Sequence, residues 1–255
     1  ADLNTDELQE VLNRTYNYTV LVVEDDLDIQ SYLQAELKQN FRVLVADNGV
    51  KALEVLMSEE VSMVVSDVMM PEMNGFDLCR KIKSDIVLSH LPVMLLTALS
   101  DDKQQMYGAA SGADAYIQKP FNIEVVKLRI IKLLEDRVRL REAYARDASS
   151  PAVSVKEEKA ESMDDLFMNR FLKLIEESYA DPDFSIEKGS EKLGLSRVHL
   201  YRKVKELAGV TPTDFLRNYR LKKAAALLRR KAGNVNEVAY ATGFGSPAYF
   251  SKCFK

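Results

Sequence analysis

At 255 residues the chain is long enough for two domains with a core each. Its net charge of −4 hides a division: residues 18–141 hold 14 basic against 19 acidic side chains, while residues 163–255 hold 17 against 11, and from Arg197 onward 13 against 3. The acidic front and basic back point to a polyanion partner at the back, two distant cysteines (Cys79 and Cys253) argue against a disulfide framework, and no apolar run approaches a membrane span or a secretory leader.

Residues 1–17 are polar and weakly helical and read as a connector. Thr19 to Val23 is an apolar strand followed directly by Glu24-Asp25-Asp26, with Asp26 placed to cap the next helix. That helix runs from about Leu27 to Gln39 and carries Ile29, Leu33 and Leu37 on one face. Phe41 to Ala46 is a second strand, and the helix after Asn48-Gly49 presents Ala52, Leu53, Leu56 and Met57. A valine-rich third strand from Val61 ends at Asp67. Phe76 to Ser84 is a helix with Leu78, Cys79 and Ile82 inward. Leu91 to Leu96 is a fourth strand ending at Thr97, then a helix is expected near Asp101 to Ala110. Asp114 to Gln118 is a fifth strand ending at Lys119-Pro120, and a long helix runs from about Asn122 to Tyr144. Five strands alternating with five helices over short crossovers predict an α/β domain, a doubly wound parallel sheet covered on both faces.

Arg146 to Ser162 has almost nothing to bury and reads as a flexible linker. After it the pattern is helical throughout, an all-α domain. Phe167, Phe171, Leu174 and Ile175 mark one helix. Leu216, Tyr219, Leu221, Ala225 and Leu228 mark a long one, begun by a Thr211 cap with Pro212 at the first helical position. Two segments repeat each other: Ile186…Leu193-Gly194-Leu195-Ser196…Leu200…Val204 and Val235…Thr242-Gly243-Phe244-Gly245-Ser246…Phe250…Phe254. Each is a short helix, a turn with Gly and a capping Ser, and a second amphipathic helix, the helix-turn-helix layout. The second turn is one residue longer. The chain opens on Ala1-Asp2 and stops inside a helix at Phe254-Lys255, so a segment of a longer protein is expected.

The residues that follow the strands carry the chemistry. An Asp at the end of a strand is by default a cap for the next turn; the company of Asp67 argues for more. Glu24, Asp25 and Asp26 follow the first strand, Asp67 the third, Thr97 the fourth and Lys119 the fifth, and in a parallel sheet all emerge at one edge. Crowded carboxylates are costly without a cation, and such an oxygen set suits Mg2+. A carboxylate held there can attack a phosphoryl group to form an acyl phosphate, with Lys119 and Thr97 holding the transferred oxygens.

Val22-Val23-Glu24-Asp25-Asp26, Ser66-Asp67-Val68-Met69-Met70-Pro71-Glu72-Met73-Asn74-Gly75, Leu96-Thr97-Ala98 and Tyr116-Ile117-Gln118-Lys119-Pro120-Phe121 resemble the receiver domain of response regulators, which has a flavodoxin-like fold. The likeness covers roughly residues 18–141. It implies that Asp67 accepts a phosphoryl group from a histidine kinase. It implies Asp25 and Asp67 as Mg2+ ligands together with the Met69 carbonyl, with Glu24 acting through water. It implies Thr97 and Tyr116 as a switch pair, although Tyr116 reads equally as a half-exposed packing residue. The Lys119-Pro120 bond would be cis. Met69, two residues after the acceptor, cannot orient a water, so a long-lived phosphorylated state is expected.

Leu193-Gly194-Leu195-Ser196-Arg197-Val198-His199-Leu200-Tyr201-Arg202-Lys203-Val204-Lys205 and Ala241-Thr242-Gly243-Phe244-Gly245-Ser246-Pro247-Ala248-Tyr249-Phe250-Ser251-Lys252-Cys253-Phe254 resemble the AraC-type DNA-binding domain. By that resemblance Arg197, Val198, Tyr201 and Arg202, with Ser196 before them, would meet DNA from the first reading helix. Pro247, Ala248, Tyr249 and Lys252, with Ser246, would do so from the second. Lys203, Lys205, Arg217 and Arg220 are expected to face phosphates or solvent, and His199 to pack. Gly189-Ser190, where the family has a small apolar pair, is expected to loosen its helix, and the family's further helix after Phe254 is missing, which leaves the second unit incomplete.

The domains expected are therefore a connector at 1–17, a receiver at 18–144, a linker at 145–162 and a DNA-binding domain at 163–255. Together they imply a phosphorylation-regulated, non-enzymatic transcription regulator of the cytoplasm that binds DNA and Mg2+ and pairs as a homodimer on phosphorylation. No membrane contact by this segment is expected. The order resembles the cytoplasmic end of hybrid two-component sensors, whose histidine kinase lies upstream in the same polypeptide; a stand-alone regulator fits the same residues. Two other readings compete. A haloacid-dehalogenase-type, Mg2+-dependent phosphohydrolase also uses Asp, Thr and Lys, but wants an Asp where this chain has Met69. A DNA-binding protein independent of phosphorylation would leave the acidic, Thr and Lys set without a task.

Overall fold

The computed structural model describes residues 5–98, 111–147 and 162–254. The chain divides into two compact units, Ala1–Arg139 and Leu140–Lys255. In the first, β1 (Thr19–Val23), β2 (Arg42–Ala46), β3 (Met63–Asp67), β4 (Val93–Thr97) and β5 (Ala115–Gln118) form one sheet in the order β2-β1-β3-β4-β5. Every neighbouring pair is parallel. The helices are α1 (Thr5–Asn13), α2 (Leu27–Leu37), α3 (Gly49–Ser58), α4 (Gly75–Ser84) and α5 (Ile123–Asp147).

The strands form where β-branched and apolar residues run together, because a parallel sheet is covered on both faces. Alternate residues then serve alternate cores. Val20, Val22, Met63 and Val65 share a core with Leu33 and Leu37 of α2 and Val126, Ile130, Ile131 and Leu134 of α5. The residues between them, Leu21, Val23 and Val64, are equally buried, as are Ala52 and Leu56 of α3 and Leu78, Cys79 and Ile82 of α4. The helices begin where side chains can satisfy their first amides. Asp26 accepts from the Asp28 and Ile29 amides, Asn48 from those of Val50 and Lys51, and Asn74 from that of Asp77.

Two expectations change in this unit. Strands two to five start one or two residues later than the apolar runs do. The stretch expected as a connector is also packed: Val11 of α1, then Tyr16 and Tyr18, lie against the first core. Buried Asn40, just before β2, donates through Nδ2 to the Leu12 and Arg14 carbonyls at 2.7 and 2.8 Å. The Tyr16 amide returns a bond to the Asn40 carbonyl, and the Tyr16 ring stacks on Phe41. The helix expected near 101–110 and nearly all of the expected linker lie outside the described residues.

The second unit contains α6 (Met163–Ser178), α7 (Ile186–Leu193), α8 (Arg197–Ala208), α9 (Pro212–Arg229), α10 (Val235–Ala241) and α11 (Pro247–Phe254). Ser162 and Asp165 form a capping box at the head of α6, and Thr211 caps α9 with Pro212 in its first turn. Phe167, Phe171 and Ile175 are buried, and Phe171 meets Phe215 edge-on at 5.3 Å. Further along the chain, Ala224, Val238, Ala239, Phe244 and Phe250 make a second cluster. The second helix-turn-helix therefore has a core of its own. A methyl at Gly189 of α7 would lie 3.2 Å from Phe184 and 3.3 Å from Leu174, so the glycine lets those side chains close on the helix.

Candidate functional site

Strand order reverses between β1 and β3, and open α/β sheets bind ligands in the crevice beyond such a reversal. Val23 pairs with Ser66, so Glu24 and Asp25 leave β1 beside the end of β3, where Asp67 stands. Asp67 pairs with Leu96 and Thr97 with Gln118, which brings Thr97 and Lys119 to the same edge. Glu24 is 1% exposed and Asp67 7%, while Asp25 opens to solvent. One oxygen from each of the three lies within 4.8 Å of the others. Lys119 Nζ spans two of them, 2.9 Å from Glu24 Oε2 and 3.1 Å from Asp67 Oδ1.

Burial raises the Glu24 carboxyl above its usual range and the Asp67 charge adds to this, while Lys119 pulls the other way. Burial also works against the Lys119 ammonium, but hydrogen bonds to Glu24 and Asp67 outweigh it and the ammonium ends up more firmly protonated. The site therefore concentrates negative charge that a single lysine offsets only in part. Three hard oxygen donors, one of them open to solvent, fit Mg2+, which retains waters and takes one or two carboxylates.

Main-chain bonds hold the frame. The Val68 amide donates to the Leu96 carbonyl, the Gly75 amide to that of Val68, and the Lys119 amide to that of Thr97. Gln30 Nε2 donates to the carbonyls of Glu24 and Ala46, fixing the turn after β1. In the loop after β3, Glu72 adopts φ 62° and its carboxylate accepts from Asn48 Nδ2. The Lys119-Pro120 bond is cis. Met69 points its side chain outward, 64% exposed. Tyr116 lies half-exposed on β5 with its hydroxyl 3.0 Å from Ser111 Oγ, and burial raises the phenol. Gln30 and Ser111 were not singled out in the sequence, and nothing in their spacing marks them; Asn48 was read only as the start of a helix.

In the second unit, Ser196 caps α8 by accepting from the His199 amide. Arg197 and Val198 are exposed, Tyr201, Arg202 and His199 half-buried. Arg197 Nε lies 3.2 Å from Glu187 Oε1, and its guanidinium sits 5.6 Å from the Tyr201 ring centre. The Tyr201 hydroxyl is 2.6 Å from Thr213 Oγ1. At the head of α11, Ser246 accepts from the Tyr249 amide, and Ala248, Tyr249 and Lys252 are exposed beside half-buried Pro247.

Two cations do not face phosphates or solvent as expected. Lys203 is 0% exposed, paired with Asp164 and 5.8 Å from the Phe167 ring centre. It lies on the inner side of α8 with Leu200, Val204 and Leu207. Arg220 donates from Nε to the Tyr179 carbonyl and from Nη2 to that of Asp181. Arg217 is half-exposed and paired with Asp214, and Lys205 is exposed.

A family model described as a response regulator receiver domain matches residues 20–131, and one described as a helix-turn-helix domain matches residues 190–255. The chain is 38% identical over 253 residues to a protein of Formosa agariphila named Histidine kinase P4, covering 99% of this chain and 18% of that protein. It is 38% identical over 117 residues to the Pseudomonas aeruginosa transcriptional regulatory protein GltR, covering 46% of this chain and 48% of that one. The chain thus spans about a fifth of the first relative and about half of the second. Among solved structures, the Thermotoga maritima response regulator DrrB is 36% identical with a TM-score of 0.44, covering 48% of this chain and 54% of that one. Among the described residues no helix is long and apolar enough to cross a membrane.

Proposed function

Since residues 20–131 belong to the response regulator receiver family and residues 190–255 to the AraC-type helix-turn-helix family, we propose that the chain is a transcription regulator whose DNA binding is set by phosphorylation of Asp67. The observation that carries this reading is Asp67 itself, nearly buried at the strand-order reversal between an acidic pair and Lys119.

In the proposed reaction an Asp67 carboxylate oxygen attacks the phosphorus of a phosphohistidine. The P–N bond breaks, the imidazole nitrogen keeps the electron pair and takes up a proton, and Asp67 is left as an acyl phosphate. Lys119, already aimed at Asp67, moves its ammonium onto a phosphoryl oxygen, and the Thr97 hydroxyl donates to another. Asp25, Asp67, the Met69 carbonyl and Glu24 would hold Mg2+, which would supply positive charge against the transferred group. Drawing Thr97 toward the phosphoryl group would reshape the β4–β5 edge that carries Tyr116. The DNA contacts would come from Ser196, Arg197, Val198, Tyr201 and Arg202 on α8 and from Ser246, Pro247, Ala248, Tyr249 and Lys252 at α11.

This reading places the chain in the cytoplasm, with DNA and a histidine kinase as partners and a homodimer as the phosphorylated form. The alignment of 99% of this chain with 18% of a protein named as a histidine kinase supports a kinase in the same polypeptide. Receiver and helix-turn-helix domains are those of a regulator. The domains proposed are a docked lead-in at 1–17, a receiver at 18–144, a joining segment at 145–162 and a DNA-binding domain at 163–255.

Intact mass after incubation with Mg2+ and a small acyl phosphate tests the core of this. One added phosphoryl group is expected on the native chain and none on Asp67→Asn. With an apolar residue at Met69 the adduct should persist well beyond seconds once the donor is removed. A native chain that takes up no phosphoryl group overturns the phosphorylation switch.

A further inference from the structure

Arginine on a reading helix is ambiguous: its five donors suit a phosphate as well as a base edge, and its long stem lets it reach either. What decides between them is how many of those donors are already committed, and from which side. Arg197 is committed on one side only. Its Nε lies 3.2 Å from Glu187 Oε1. Its guanidinium rests 5.6 Å from the Tyr201 ring centre, within range of a cation–π contact. That ring is tethered in turn, with the Tyr201 hydroxyl 2.6 Å from Thr213 Oγ1. Arg197 is therefore flanked by Glu187 from the first turn of α7 and by Tyr201 one turn on in α8, whose ring is tied in turn to Thr213 in the first turn of α9.

Arg197 and Glu187 are 62% and 51% exposed, so their pair contributes little to stability. A glutamate beside a DNA-facing arginine also repels phosphate, which makes it a poor choice for affinity alone. Its use lies elsewhere. With the Glu187 carboxylate lying on the Nε side, the two Nη groups remain as a parallel pair of donors on the far edge, the arrangement that matches guanine O6 and N7. The Glu187 carboxyl is kept below its usual range by its own amide and the Ser185 hydroxyl, with Arg197 adding to these, so it stays charged at neutral pH.

We propose that Glu187 is a positioning residue for DNA reading: it holds Arg197 for bidentate recognition of a guanine, and so gives this chain a G·C preference at one position of its site. The proposal rests on DNA binding by the second unit as proposed above.

The test uses the full chain and duplexes that it selects from a randomised library, followed by single base-pair changes across the recovered site. The wild type should prefer guanine at one position by about tenfold or more, and Arg197→Lys should lose most of that preference. Glu187→Gln should keep overall affinity within a few fold while the guanine preference collapses. Because Arg197 is then released to the backbone, the slope of log K against log salt should steepen by about 0.9, one added phosphate contact. A merely structural role for Glu187 would weaken all duplexes together and leave both the base preference and the slope alone. A Glu187→Gln chain that retains the guanine preference overturns the proposal, as does a site with no position sensitive to Arg197→Lys. A wild type that enriches no duplex overturns the proposed DNA binding as well.

Discussion

Lys119 and Lys203 are both withdrawn from solvent, and what each pairs with decides what it does. Lys119 lies between two carboxylates at an open strand edge, so its partners can exchange when a phosphoryl group arrives. Lys203 lies on the inner side of α8 with Asp164 and the Phe167 ring, in packed interior rather than at an open edge. Removing one member of a buried pair leaves the other charged and unsolvated. Asp164→Ala should therefore destabilise the second unit by about 3 kcal/mol. Lys203→Met keeps the stem and discards the charge, and should cost less than about 1.5 kcal/mol. Urea denaturation of both variants checks the order; a Lys203→Met chain less stable than Asp164→Ala would contradict it. Lys119 was legible in the sequence because a lysine directly after a strand must emerge at the edge where Asp67 emerges. Lys203 was legible only in part. Leu200, Val204 and Leu207 put position 203 on their own face of the helix, but the partner that makes a buried lysine tolerable is far away in sequence.

The helix-turn-helix elements were readable from glycine and serine spacing because the local chemistry is nearly complete there. Gly194 ends α7 at φ 72° and Ser196 caps α8; Gly243 follows α10 at φ 80° and Ser246 leads α11. The two glycines look equivalent in sequence and are not. A methyl on Gly194 would meet nothing within 4 Å, whereas one on Gly243 would lie 2.1 Å from the Tyr179 carbonyl that also accepts from Arg220. Gly194→Ala should cost only the left-handed backbone penalty, on the order of 1 kcal/mol. Gly243→Ala must also push α10 off the end of α6, and should cost at least about 2 kcal/mol more, by analogy with overpacking a filled core. Thermal melts of the two variants, run side by side, read the difference; equal losses would mean that the contact with Tyr179 carries no weight. The packing of the lead-in was not legible, for the opposite reason. Its residues are polar in composition, and part of what docks them is a buried amide, Asn40, whose two long-range bonds to the Leu12 and Arg14 carbonyls leave no periodic trace.

At the scale of the chain the fold was legible in continuous apolar runs at the strands and a 3.6-residue period at the helices, and the first site in topology, since strand ends in a parallel sheet must share an edge. Charge was the coarser guide. The thirteen basic residues from Arg197 onward overstate what the second unit can offer to phosphates, because Lys203 is buried and Arg220 is bound to carbonyls. The cations left to neutralise DNA are the outward ones, Lys205 among them. A phosphate contact strengthens binding to any sequence, and each one contributes about −0.9 to the slope of log K against log salt. Lys205→Gln should accordingly flatten that slope by about 0.9 and weaken selected and unrelated duplexes by the same factor. Glu187→Gln should move the slope the other way and spare affinity while erasing a base preference. Measured together on one pair of duplexes, the two variants separate a phosphate contact from the positioning of a base-reading arginine. If Lys205→Gln instead alters base preference, α8 meets DNA along a face turned from the one that carries Arg197, and the assignment of that helix's reading side has to be redrawn.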